Sequence, residues 1–155
     1  MSGNKANTMG AYQHILLAVD YSGHSGVVAQ RAKDLAAKHL AKLSIIHVLD
    51  NIPMPDTGYG TVISLTEDSG YALLEAEKVR LIQIGEQLGV APANRWMIWG
   101  TPKQEIVRLA EQEQIDLIIV GSHGRHGLSL LLGSTANSVL HYSKCDVMAI
   151  RLAND

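Results

Sequence analysis

The chain has 155 residues, which suits one domain that can bury a core without a disulfide or a structural metal. Hydrophobic residues make up 46% of it, and a formal net charge of −2 lacks the basic excess typical of a general nucleic-acid binder. The single cysteine cannot form an internal disulfide, and every apolar run is far shorter than the ~18–20 residues that span a bilayer. We therefore expect a cytoplasmic, single-domain protein without nucleic-acid or membrane partners.

Strands and helices are predicted to alternate along the chain. Residues 1–11 are small and polar and are expected to form a disordered extension, so that the domain covers 12–155. The run at 14–19 indicates a strand buried on both faces, because its apolar residues do not alternate with polar ones. Further strands are predicted at 43–49, 95–99, 116–120 and 146–152. Apolar residues at helical spacing predict helices at 27–40, 68–88, 101–114 and 134–142. This alternation predicts an α/β fold with a single open five-stranded parallel sheet and helices on both faces, which is a doubly wound arrangement.

Local signals mark the ends of several elements. Thr101-Pro102-Lys103-Gln104 predicts a helix start with a capping box, a feature worth about 1 kcal/mol. Gly89 lies where a left-handed residue commonly ends a helix. Prolines and glycines between residues 50 and 66 predict an irregular excursion, which is long for a compact domain.

The segment after the fourth strand carries the richest chemistry. In open parallel sheets ligands bind beyond the carboxyl ends of the strands, where Gly121-Ser122-His123-Gly124 lies. Gly133-Ser134-Thr135 opens the last helix, whose free amides and dipole favour an anion, and Arg125 and His126 add positive charge or hydrogen bonds. The pattern predicts an anion site, with a purely structural strand-to-helix turn as the alternative.

These segments resemble the universal stress protein family. The resemblance is carried by YQHILLAVD at 12–20, LSIIHV at 43–48 and VGSHGRHGLSLLLGSTANSVL at 120–140. Nucleotide-binding members of that family hold ATP phosphates and ribose with the signature G-x2-G-x9-G-[ST], whereas the long spacer here, 125–132, has eight residues. The resemblance implies an adenine nucleotide alpha hydrolase-like fold, a homodimer and a stress-response switch. A branch of the family with similar architecture binds no ATP.

The resemblance also implies roles for individual residues. The adenosine side falls to Ala18, Val19 and Asp20, and adenine contact to Val48. The phosphates and ribose face Gly121, His123, Gly124, Gly133, Ser134 and Thr135, with Val120 and Arg125 beside them. Asp20 is in addition the acidic group implied for Mg²⁺. A residue lost from a helix would rotate Ser134 by about 100°, whereas a loop containing Gly127 could absorb the loss.

Other ligand chemistries find less support in the sequence. It contains no phosphate loop of the G-x4-G-K-[ST] type, no G-x-G-x-x-G after the first strand and no nucleophile elbow. His123 and His126 lack the further ligands of a zinc site. The remaining histidines are expected to be surface or hydrogen-bonded groups. Because no general base stands out, any ATP hydrolysis is expected to be slow, and a dimeric interaction protein without nucleotide remains the alternative function.

Two features near the carboxyl terminus lead to further expectations. If the apolar last strand lies at the edge of the sheet, pairing with the same strand of a second subunit would cover it. Cys145 follows Lys144, and a nearby cation would lower the pKa of its thiol. The alternative for Cys145 is a small buried residue at a helix-to-strand turn.

Overall fold

The sheet is the centre of the molecule. The computed structural model describes residues 10–21, 25–50, 58–122 and 133–151, so residues 1–9 of the predicted extension lie outside the described part. The strands are β1 His14–Ala18, β2 Lys42–Leu49, β3 Thr61–Val62, β4 Arg95–Trp99, β5 Leu117–Gly121 and β6 Asp146–Ile150. The helices are α1 Ser25–His39, α2 Ala72–Leu88, α3 Pro102–Gln112 and α4 Ser134–Tyr142. The strands lie in the order β3-β4-β2-β1-β5-β6.

The predicted doubly wound α/β fold is confirmed. Five strands run parallel, and successive residues of each buried strand point to opposite faces of the sheet. Ile15 and Leu17 of β1 pack on the face covered by α1 and α2. Leu16 belongs to the second core cluster, with α3 and α4. Both faces are therefore covered, which explains why these strands read as continuous apolar runs.

A sixth strand corrects the predicted strand count. Residues 50–66 were expected to be irregular throughout, but Thr61–Val62 pairs antiparallel with Trp99 and Ile98 of β4. The amide of Ile63 extends the pairing by donating to the carbonyl of Met97 at 2.8 Å. Both residues of β3 are exposed, so this strand has no apolar pattern to reveal it. Residues 51–57 lie outside the described part.

The start of α2 also differs from the prediction. The helix begins at Ala72 instead of residue 68. Before it, the Asp68 carboxylate accepts the Gly70 amide at 3.0 Å, and Gly70 adopts a φ of 81°. This local turn competes with the helix for the same backbone. At the other end, the predicted left-handed cap is confirmed, because Gly89 has a φ of 70°.

The helix start at Thr101 is confirmed, but its capping box is wrong. Thr101 occupies the N-cap position of α3, and Pro102 is the first helical residue. The Thr101 side chain makes no capping hydrogen bond, and its buried Oγ1 has no partner within the described ranges. Instead, the backbone carbonyl of Thr101 accepts the amides of Gln104 and Glu105 at 3.1 and 3.0 Å. Backbone bonds alone therefore begin this helix.

None of the helices in the described part of the chain is both long and apolar enough to cross a membrane.

Candidate functional site

The carboxyl ends of β1 and β5 meet at the point where the direction of chain winding reverses. From β1 the chain crosses through α1 to β2 on one side, whereas β5 and β6 lie on the other side. Beyond β1, the Val19 amide donates to the Ile46 carbonyl at 2.8 Å. Beyond β5, the Ser122 amide donates to the Ile150 carbonyl at 2.9 Å. Just past the two strands, the chain therefore pairs with β2 on one side and with β6 on the other. This is the arrangement that leaves a crevice in open α/β sheets.

The start of α4 is tied to the end of β5. The Gly133 amide donates to the Ser122 carbonyl at 2.7 Å. This bond brings together two halves of the predicted site that are separated in sequence by residues 123–132. Those ten residues, which include the predicted site residues His123, Gly124 and Arg125, lie outside the described part.

The amino end of α4 supplies backbone donors. Gly133 is the N-cap and has no side chain with which to cap the helix. Its carbonyl accepts the Asn137 amide at 2.9 Å, so the first intrahelical bonds begin beyond the amides of Ser134, Thr135 and Ala136. Such amides, together with the helix dipole, favour negative charge. The side chain of Ser134 is exposed and that of Thr135 is half-buried.

A small cavity lies between the end of β1, the start of α1 and the last turns of α2. Its volume is about 90 Å³. The predicted residues Ala18, Val19, Asp20 and Gly121 line it together with Gly26 of α1. Four of the predicted site residues are therefore brought to one concave surface, although they come from two parts of the chain.

Two other predicted residues lie in the core and not in the lining of the cavity. Val48 and Val120 are buried, with 7% and 3% of their surfaces exposed. Both belong to the core cluster on the side of α3 and α4, and Ala18 packs against that cluster. The side chain of Val48 therefore contributes to the core and is not part of the cavity lining.

Acidic and histidine side chains do not gather into a metal cluster at this site. Within residues 10–21, 25–50, 58–122 and 133–151, no group of three or more His, Cys, Asp or Glu side chains is placed to hold a metal ion. Asp20 is half-buried and lines the cavity described above.

The sequence reading missed a cluster behind the first strand end. His47 donates from Nδ1 to the Val19 carbonyl at 2.7 Å and stacks on Tyr21 at a ring-centre distance of 3.8 Å. For this cluster the sequence predicted no more than that His47 is a surface or hydrogen-bonded group, and its hydrogen bond is confirmed. The partners lie 28 and 26 positions away in sequence, and no local pattern connects them.

Comparison with known proteins places this chain in a family. The family model described as "Universal stress protein family" matches residues 11–151. The chain belongs to the universal stress protein family. Among curated universal stress proteins, Universal stress protein A homolog 2 of Coxiella burnetii is 39% identical over 145 residues, covering 93% of this chain and 98% of the relative.

Solved structures support the same assignment. This universal stress protein superposes on hypothetical protein MJ0577 with a TM-score of 0.72 at 25% identity, covering 93% of this chain and 99% of the other. It also matches a universal stress protein solved in complex with cAMP, with a TM-score of 0.64 at 26% identity and coverage of 91% and 98%. The similarity therefore extends over nearly the whole length of this chain and of each of the two solved proteins.

Proposed function

We propose that this universal stress protein binds an adenine nucleotide, ATP, across the carboxyl ends of β1 and β5 and acts as a stress-response switch. The observation that carries the proposal is the bond from the Gly133 amide to the Ser122 carbonyl, at 2.7 Å. It brings the amino end of α4 to the carboxyl end of β5, where Gly121 lines the same cavity as Ala18, Val19 and Asp20. A surface with free amides on one side and small apolar groups on the other suits a phosphate joined to a nucleoside.

Each part of the site has a role in this proposal. The α4 amides and the hydroxyls of Ser134 and Thr135 hold phosphate, and Gly121 lets the chain approach the ligand closely. Residues 18–20 and the backbone of Val48 receive the adenosine. His123, Gly124 and Arg125 complete the phosphate and ribose side. The related universal stress protein in complex with cAMP supports an adenine nucleotide as the ligand class.

Calorimetry with purified protein and ATP tests this function. We expect saturable binding that Gly124→Val or Ser134→Ala weakens by about tenfold, because each change affects phosphate contacts worth about 1.5 kcal/mol. Ser138→Ala is the matched control, since Ser138 lies one turn further along α4. No saturable binding at millimolar ATP would overturn the proposal and favour the dimeric interaction protein.

Magnesium and hydrolysis form a separate arm of the proposal. We propose that Asp20, which lines the cavity, holds Mg²⁺ near the phosphates and that any hydrolysis is slow. Magnesium-dependent phosphate release that is lost in Asp20→Asn would support this arm. Release that is unchanged in Asp20→Asn would exclude the role of Asp20. Because ATP is an intracellular ligand, the proposal also implies a cytoplasmic protein.

We also propose that β6 pairs with its copy in a homodimer. β6 is the last strand of the sheet order, and its outer side has no neighbouring strand among the described elements. Val147 and Met148 are half-buried and Ala149 is exposed, so an apolar edge faces outward. An unpaired edge of this kind is stabilised by a two-fold contact.

A proline at the outer side of β6 tests the dimer. The Ile150 carbonyl accepts from Ser122 and therefore points toward β5, so the neighbouring residue Ala149 turns its amide outward. Ala149→Pro removes that outward donor and is expected to give monomers in analytical ultracentrifugation. Ala149→Ser keeps the amide and is the control. A dimer that survives Ala149→Pro at the same concentration would place the interface elsewhere.

A further inference from the structure

The turn that follows β1 has a backbone conformation that bulky side chains avoid. Tyr21, the residue after Asp20, has a φ of 60°. This left-handed region is unfavourable for a residue with a large side chain. Such a conformation persists only where surrounding contacts impose it, and it is enriched at ligand sites. The turn that carries Val19 and Asp20 to the candidate site is therefore held from outside.

Contacts on three sides hold the Tyr21 ring. Its hydroxyl donates to the backbone carbonyl of Glu77 at 2.9 Å. The Arg80 guanidinium lies 4.2 Å from the ring centre, and the His47 ring stacks at 3.8 Å with an interplanar angle of 18°. Two groups this close to one ring must occupy its opposite faces. Tyr21 is thus fixed between β2 and α2.

The polar contacts of both ring nitrogens bear on the protonation of His47. Nδ1 lies 2.7 Å from the Val19 carbonyl, which can only accept, so Nδ1 carries a proton. Nε2 lies 3.3 Å from Oε1 of Glu77, and an ionised carboxylate also only accepts. This second contact is attractive only when Nε2 carries a proton as well. Two charged groups of α2 face this cluster: Glu77 lies at the edge of the His47 ring, and Arg80 lies across Tyr21.

We propose that His47 is a positioning residue of the nucleotide site, holding the Val19 carbonyl and Glu77 at once through a proton on each ring nitrogen. In this way it fixes the Val19–Tyr21 turn, of which Val19 and Asp20 line the cavity. Loss of the Nε2 proton sets two acceptors against each other and loosens the link to α2. The inference rests on the proposed function, because it concerns how well the same site receives its nucleotide.

The ring state can be measured without any nucleotide. We expect ¹⁵N NMR of the full chain at pH 7 to show His47 protonated at both ring nitrogens. His14 is the internal reference, because burial, followed by the charge of Lys42, lowers the pKa of this second buried histidine. Glu77→Gln removes the carboxylate, and its amide can donate to a bare Nε2, so His47 should become neutral. A neutral His47 ring in the unaltered chain at pH 7 would overturn the inference.

Nucleotide affinity supplies the second readout. We expect His47→Phe, which keeps the stack on Tyr21 but removes both N–H groups, to raise the Kd for ATP about tenfold. Glu77→Gln should raise the Kd severalfold, because the His47 ring then loses its contact with the carboxylate of α2. His14→Phe, the matched control at the opposite end of the sheet, should leave the Kd unchanged. Because Glu77 is partly exposed, with 22% of its side chain accessible, Glu77→Gln is expected to fold even if His47→Phe does not.

The outcomes separate this inference from the proposed function. Unaltered ATP affinity in both Glu77→Gln and folded His47→Phe would overturn the positioning role while nucleotide binding stands. No ATP binding by the unaltered chain would overturn the proposed function and the site role together. Faster amide exchange at residues 19–21 in Glu77→Gln, with weaker ATP binding, would support the positioning role.

Discussion

The two ends of the sheet differ in how they treat backbone amides that have no partner within their own strand or helix. At the amino end, the Asp116 carboxylate accepts the amides of Gln13 and His14 at 2.8 and 2.9 Å. The His14 ring is hydrogen-bonded to the Ser44 hydroxyl at 2.7 Å. Side chains therefore supply hydrogen bonds where strands from three parts of the chain begin, and we call this the closed end of the sheet.

At the carboxyl end, the structure uses glycine and strained backbone instead. Gly133 begins α4 without a capping side chain, and Tyr21 is held in a left-handed conformation. A cavity remains between β1 and α1. The difference indicates that side chains stabilise one end of the sheet, whereas backbone donors are left at the other end, where the candidate site lies.

The largest expected effect comes from Asp116 at the closed end. Asp116→Ala leaves two backbone amides without their acceptor and should lower the free energy of unfolding by about 3 kcal/mol, measured by urea denaturation. Asp34→Ala, on an exposed position of α1, is the control and should cost only a few tenths of a kcal/mol. Weaker ATP binding in folded Asp116→Ala would show that the two ends are not independent.

The next effect is a dependence of stability on pH at the same end. Burial, followed by the charge of Lys42, lowers the pKa of His14 in the folded state. The unfolded chain therefore binds more protons between that lowered pKa and about 6.5, and stability falls as pH drops through this window by up to about 1.4 kcal/mol per pH unit. Thermal unfolding of His14→Gln from pH 5 to 8 should show a flatter profile. An equal acid loss in this variant would exclude His14 as the cause.

A smaller effect is expected at Thr101, beyond the carboxyl end of β4. Its buried Oγ1 has no partner in the described structure, so Thr101→Val should leave stability unchanged or raise it by up to about 1 kcal/mol. A capping box would instead give a loss of about 1 kcal/mol. Denaturation midpoints of Thr101→Val and Thr101→Ser decide between them, since only the serine variant retains a hydroxyl.

The smallest effect concerns Cys145, before β6 at the closed end. Burial, followed by the charge of Asp146, raises the pKa of its thiol, while the neighbouring cation Lys144 lies 3.6 Å from Glu111. We expect alkylation at pH 7 to be severalfold slower than for a free thiol, because the thiolate reacts. An equal rate for the folded and the urea-unfolded protein would contradict this protection.

The architecture could be predicted because its signals are local. Runs such as the one at 15–19 are apolar throughout, since helices cover both faces of the sheet. β3 could not be predicted in this way, because its two exposed residues are defined only by pairing with β4. The capping box at Thr101 matched the local pattern, yet backbone bonds replaced it.

Some residues of the candidate site also have a local signal in the sequence, whereas others depend on contacts between distant parts of the chain. Gly121 and Gly133 stand out in sequence because glycine next to a strand end or a helix start has a local meaning. His47 and Tyr21 do not, because their roles depend on contacts between β2, α2 and the turn after β1. The roles of His123, Gly124 and Arg125 remain predictions.

The bond between Gly133 and Ser122 has a consequence for the evolution of this protein. The bond joins Gly133 to Ser122, which are separated in sequence by the ten residues 123–132, and so closes a ring of the chain. The entropy of closing a ring changes only slowly with the number of residues inside it. We therefore expect insertions or deletions within residues 123–132 to cost the sheet little stability.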